Sequence, residues 1–161
     1  MRSEGLVAIL LAFLVIVPQC RAQTDDAVLK AAYIFNIAQF TTWSAPAGAR
    51  PLTVCVAGAH PLWQSLRQLQ GKPMGERRVT VVEPAQGTQC DVAVLRAGAQ
   101  RPQADGSGTL TIVDEPGSGY AGAVALVEED QHLRFDIDTK EGARAGLRFS
   151  SRLLRLARNV R

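Results

Sequence analysis

Residues 52–58, Leu52-Thr53-Val54-Cys55-Val56-Ala57-Gly58, read as a β-branched strand closed by glycine. Pro61 to Leu69 follows, with Leu62, Leu66 and Leu69 on one side, and reads as a helix stopped by Gly71-Lys72-Pro73. Downstream, Arg78 to Glu83 (Val79, Val81, Val82) and Asp91 to Leu95 read as strands separated by the turn Ala85-Gln86-Gly87-Thr88. Arg96 to Gly108 is loop-like, with Gly98, Pro102, Gly106 and Gly108, and Leu110 to Val113 is another strand. Ala123 to Val127 and Leu133 to Ile137 flank Glu128-Glu129-Asp130-Gln131 and predict an antiparallel hairpin. Thr139 to Arg161 reads as helix in two pieces, interrupted at Gly146, with Ser150-Ser151 capping a second piece from Arg152 to Asn159. Upstream, Thr24-Asp25-Asp26 supplies a helix N-terminus. Leu29, Tyr33, Ile37 and Phe40 form the expected apolar face, and the helix ends near Thr41-Thr42-Trp43, before Pro46 and Gly48. The expected class is α/β: one mixed sheet flanked by helices, with an antiparallel C-terminal hairpin and a terminal helix.

The first 22 residues belong to a different kind of segment. Arg2 precedes an unbroken apolar run from Leu6 to Val17, followed by Pro18-Gln19-Cys20-Arg21-Ala22. A basic start, a short apolar run and a small residue at its end describe a secretory signal peptide, with cleavage after Ala22. The run is shorter than the roughly 20 residues that a membrane span needs. Val17-Pro18-Gln19 lacks the small residues expected before a lipidated cysteine. The expected domain is therefore 23–161, exported to an oxidising compartment. The whole chain has 161 residues and a formal charge of +3; the remaining 139 carry sixteen basic and fourteen acidic residues. Of three cysteines, Cys20 leaves with the signal. Cys55 and Cys90, in an oxidising compartment, are most simply a disulfide pair, the alternative being two separate buried thiols.

Candidate chemistry is sparse. Gly117-Ser118-Gly119-Tyr120-Ala121-Gly122 matches a dinucleotide fingerprint in letters, but that mechanism needs a helix after the glycines. Here the following segment reads as a strand, so the match is a flexible turn. His60 and His132 stand in no metal-ligand spacing and read as surface or capping residues. Asp114-Glu115 and Glu128-Glu129-Asp130 are adjacent acids before turns, and such acids are usually solvated. Ser150-Ser151 has no nucleophile elbow around it. The expectation is no catalytic residue, no cofactor, no metal and no enzyme activity; a hydrolase would need a buried acid or histidine in a cleft.

Arg152, Arg155 and Arg158, opposite Leu153, Leu156 and Val160, make the C-terminal end basic together with Arg144, Arg148 and Arg161. Export removes nucleic acid as a partner. Arginine stems covering apolar surface are one reading, and docking to an acidic protein surface or anionic lipid is the sharper one. Trp43 and Trp63 are core residues unless exposed. Arg152, Arg155 and Trp43 are the candidate partner-binding residues. A second functional class is a small-ligand-binding domain, with its pocket where loops after the strands converge, near Gly58-Ala59-His60 and Gly98.

The assembled motifs resemble the YfiR family of exported bacterial proteins. Leu29-Lys30-Ala31-Ala32-Tyr33-Ile34-Phe35-Asn36-Ile37-Ala38-Gln39-Phe40-Thr41-Thr42-Trp43 is similar to the family's opening helix. Residues 52–56 and 90–95 resemble two of its strands, and residues 145–157 its closing signature. The resemblance implies a periplasmic, non-enzymatic regulator that represses a membrane-bound diguanylate cyclase through the cyclase's periplasmic sensor region. It further implies an outer-membrane lipoprotein as a second partner, a homodimer, and Cys55–Cys90 as the matching disulfide. Ser44 stands where the family usually has proline, and Arg96 to Gly108 is short and glycine-rich where relatives carry a helix.

Overall fold

Almost every valine-rich run becomes a strand, because β-branched side chains pack well on a pleated surface buried on both sides. The computed structural model describes residues 20–44, 48, 50–99, 108–117 and 122–161. In chain order the elements are α1 (Cys20–Gln39), β1 (Thr41–Trp43), β2 (Leu52–Val56), α2 (Trp63–Arg67), β3 (Pro73–Met74), β4 (Arg77–Val82) and β5 (Val92–Arg96). They continue with β6 (Leu110–Asp114), β7 (Val124–Glu129), β8 (His132–Ile137), α3 (Thr139–Arg144), β9 (Leu147–Phe149), α4 (Ser151–Leu156) and β10 (Asn159–Val160). The expected signal segment lies outside the described residues up to position 19, and its expected end, Ala22, falls inside α1. Residues 118–121 of the fingerprint-like turn also lie outside, while the segment after it is a strand, as read from the sequence.

Eight strands form a mixed sheet in the order β10-β8-β7-β6-β5-β2-β4-β3. Its centre, β4-β2-β5-β6-β7, is parallel throughout. Val92, Ala93 and Val94 are all buried, the continuous apolar pattern of a central parallel strand. The expected hairpin is β7 and β8, in the register Glu129 opposite His132. Its two-residue turn puts both Asp130 and Gln131 at positive φ, the twist that matches paired strands. Cys55, on β2, and Cys90, just before β5, form a disulfide with Cα atoms 5.7 Å apart. The bridge joins two neighbouring strands that no short connection links.

Three expectations change. First, the buried stripe of α1 is Ala31, Ile34, Ile37 and Ala38, together with Lys30, whereas Leu29 is 47% exposed. An alanine-rich helix carries two overlapping apolar stripes, and its docking against the sheet selects the one that includes a lysine. Second, Thr41-Thr42-Trp43 is not the helix end but β1, antiparallel to β9 in a separate two-stranded sheet. The Thr41 hydroxyl donates to the Ile37 carbonyl at 2.7 Å just beyond the end of α1 at Gln39. Third, the C-terminal region is two short helices separated by a strand. Gly146, at φ +71°, ends α3, Ser150 caps α4 by accepting from the Leu153 amide, and α4 stops at Leu156 rather than Asn159. Residues beyond it instead pair alongside β8, with Asn159 opposite Asp136.

Candidate functional site

The five parallel strands are not laid down in simple succession. The chain passes from β2 through α2 to β4 on one side, then crosses back to β5 on the other side of β2. Connections leaving β2 and β5 therefore diverge at the strands' C-terminal ends, which opens a crevice there. A cavity of about 370 Å³ occupies that place, lined among others by Cys55, Ala57, Ala59, His60, Leu95 and Arg96. The loop after β2, expected to help form a pocket at Gly58-Ala59-His60, and the region of Gly98 do converge here, with Ala59, His60 and Ala99 in the wall.

His60 sits at this end of the sheet and is buried rather than on the surface. Its Nδ1 accepts a hydrogen bond from the Leu62 amide at 3.1 Å, so the capping part of the expectation holds. Burial pushes the His60 pKa down, against the pull of the Asp114 carboxylate. The neutral ring then carries its proton on Nε2, which is buried and meets only the Leu95 backbone, without a well-aligned hydrogen bond among the described residues.

Beside it lies a buried charge cluster that the sequence did not announce. Asp114, the last residue of β6, is buried instead of solvated. Lys30 Nζ stands 3.2 Å from Asp114 Oδ1, 2.8 Å from Glu115 Oε1 and 3.2 Å from Asp26 Oδ2. Burial opposes the Lys30 charge, but Glu115 and Asp114 outweigh it and hold the pKa above the usual lysine range. Burial raises the pKa of Asp114 despite Lys30, while the hydrogen bond from Lys30 keeps Glu115 low. Glu115 adopts φ +50°, a region uncommon for residues other than glycine, which turns its carboxylate back toward Lys30 and Arg96. The available signal was a lysine placed within an apolar helical stripe and an aspartate ending an apolar strand.

At the opposite ends of the same strands, Asp91 is a second buried hub. Arg50 binds it in a two-pronged contact at 2.7 and 2.8 Å, Arg77 at 2.6 Å, and the Thr53 amide donates to it at 2.8 Å. This arrangement anchors the entry of β2, β4 and β5.

The chain matches the family model DUF4154, described as YfiR/HmsC-like, over residues 27–158. It belongs to the YfiR/HmsC-like family. No curated protein matches it. The match begins inside α1 and runs through α4, ending just before β10. Among the described residues no helix is long and apolar enough to cross a membrane.

The three residues expected to meet a partner lie on elements other than those lining the cavity. In this YfiR/HmsC-like domain Arg152 is exposed, with its guanidinium 5.5 Å from the centre of the Phe40 ring. Arg155 is exposed, and so is Leu156, at 64%. Leu156 therefore joins the arginines on the outer side instead of opposing them, because α4 ends there and it is Leu153 and Leu154 that pack on the core. Arg158 is taken up by Asp136 and Glu129. Trp43 is half-buried against the core, and Trp63 is half-buried with Arg67 over its ring. His132, by contrast, is exposed beside the hairpin turn.

Proposed function

We propose that this YfiR/HmsC-like protein is a periplasmic, non-enzymatic regulator. It binds the periplasmic sensor region of an inner-membrane diguanylate cyclase and represses its output. The observation that carries this reading is the family match over residues 27–158. Two further features support it. The apolar segment from Leu6 to Val17, ending at Ala22, suits export and cleavage. The Cys55–Cys90 disulfide suits an oxidising compartment. The partner surface is the outer side of α4, where Arg152 and Arg155 flank the exposed Leu156, with the half-buried Trp43 as a further contact residue. Two cations around an apolar side chain fit an acidic protein surface with a central apolar contact. A homodimer and an outer-membrane lipoprotein able to sequester the regulator complete the proposal.

The test is deletion in the source cell combined with a pull-down against the sensor region of a diguanylate cyclase encoded nearby. Raised cyclic-di-GMP on deletion, with direct binding, is the expected result. Unchanged cyclic-di-GMP and no complex would overturn the reading.

A further inference from the structure

We propose that the crevice between the C-terminal ends of β2 and β5 binds a small molecule with an apolar body and a single carboxylate group. The assignment does not depend on the regulatory reading. Three observations carry it. The crevice lies at the point where the strand order reverses, the position at which open parallel sheets expose divergent loops to a ligand. Its volume, about 370 Å³, is at the small end of the roughly 300–1,000 Å³ range of ligand pockets. Apart from His60 and Arg96, the described wall residues are alanine, valine, leucine, proline and the disulfide-bonded Cys55, which suit an apolar body.

Side-chain polarity in the lining has one sense. Among the described residues His60 and Arg96 are its two polar side chains, and both present donors. His60 Nδ1 is already occupied by the Leu62 amide, which leaves the buried Nε2–H with only a poorly aligned contact to the Leu95 backbone. A poorly satisfied buried donor is costly, and a ligand acceptor would relieve it. Arg96 is 55% exposed, and its described tie is a 3.5 Å contact to Glu115, so its guanidinium is available. The neighbouring acids do not compete for it equally. Asp114, Asp26 and Glu115 surround Lys30.

The far side of the crevice restricts the ligand to one anionic group. Glu83, just after β4 and next to the lining residue Pro84, lies against Gly58, where a Cβ would meet Glu83 Oε1 at 2.3 Å. In the order β4-β2-β5, Glu83 and Arg96 sit on opposite sides of β2. A second negative charge would therefore meet a carboxylate. A phosphate-bearing ligand is disfavoured for the same reason, since the space a glycine could offer to an anion is filled by Glu83.

The experiment titrates the purified protein with 3-phenylpropionate and, separately, with its uncharged amide, followed by ¹H–¹⁵N spectra. Saturable shifts at the amides of residues 57–60 and 95–99 are expected for the acid, with binding of the amide weaker by about tenfold or more. Arg96→Gln lowers affinity for the acid by a similar factor while leaving the melting temperature unchanged. Ala59→Leu, at an exposed wall position, blocks binding without touching the core. Absence of saturation up to about 10 mM, shifts confined elsewhere, or equal binding of acid and amide overturns the proposal. So does an Arg96→Gln variant that binds the acid normally.

Discussion

Lys30, in the middle of α1, is buried with its ammonium 3.2 Å from the buried carboxylate of Asp114 at the end of β6. That contact fixes how the helix is rotated on the sheet, and it sets a long amine inside the apolar interface between them. Removing one partner of a buried pair leaves an uncompensated charge, which costs roughly 3–5 kcal/mol. Lys30→Met is therefore expected to lower unfolding free energy by about that amount, read from urea denaturation. The double variant Lys30→Met/Asp114→Leu recovers most of the loss, because both desolvation penalties disappear together.

The disulfide closes a loop between positions 35 apart in sequence. A loop of that length constrains the unfolded chain by about 4 kcal/mol in the chain-entropy estimate. Cys55→Ala/Cys90→Ala is expected to lose that stability, and an alkylating reagent applied without reductant should add no mass to the exported wild-type protein. Incorporation of two alkyl groups would contradict the bridge.

Stability should fall in two stages as pH drops. Burial holds the His60 pKa below its ordinary 6.5, so the unfolded chain binds more protons between the two values. Stability is full above about pH 6.5 and declines as pH falls through the folded pKa. Glu115 and Asp136, kept low by hydrogen bonds from Lys30 and Arg158, add a second loss below their ordinary 4.5 and 3.8. Asp114, raised by burial, acts in the opposite sense and moderates that stage. Thermal melts of wild type and His60→Gln from pH 7.5 to 3 should show the first stage only in wild type.

Gly142 lies inside α3, where alanine is normally the better residue by about 1 kcal/mol. Its Cα faces the Phe149 ring, and an added Cβ would stand 2.5 Å from Phe149 Cε2. Overpacking of this kind costs roughly 1–3 kcal/mol. Gly142→Ala is expected to be destabilising, with a lower melting temperature, despite the gain in helix propensity.

Arg155→Glu reverses a charge on the exposed side of α4, where no described residue pairs with it. It should leave the melting temperature unchanged and weaken binding to the cyclase sensor region by an order of magnitude or more, measured by biolayer interferometry. Equal binding would move the partner surface elsewhere on the domain.

The sequence by itself determined six of the eight strands of the main sheet (all but the two-residue β3 and β10), the hairpin and the Ser150 cap. Each is a local signal: a β-branched run such as Leu52–Val56, alternation around a turn, a hydroxyl before a short helix. The family signature is legible for the same reason, since it is an ordered set of local runs. Only the tertiary structure decided that Leu29 faces out while Lys30 faces in, that Thr41–Trp43 pairs with Leu147–Phe149, and that Asp114 and His60 are buried. These outcomes depend on partners far away in the chain. Lys30 is tolerated inside because β6 delivers Asp114 to it, and the crevice exists because strand order separates the exits of β2 and β5. A residue's own type states what its burial would cost, but the fold alone supplies the neighbour that offsets it.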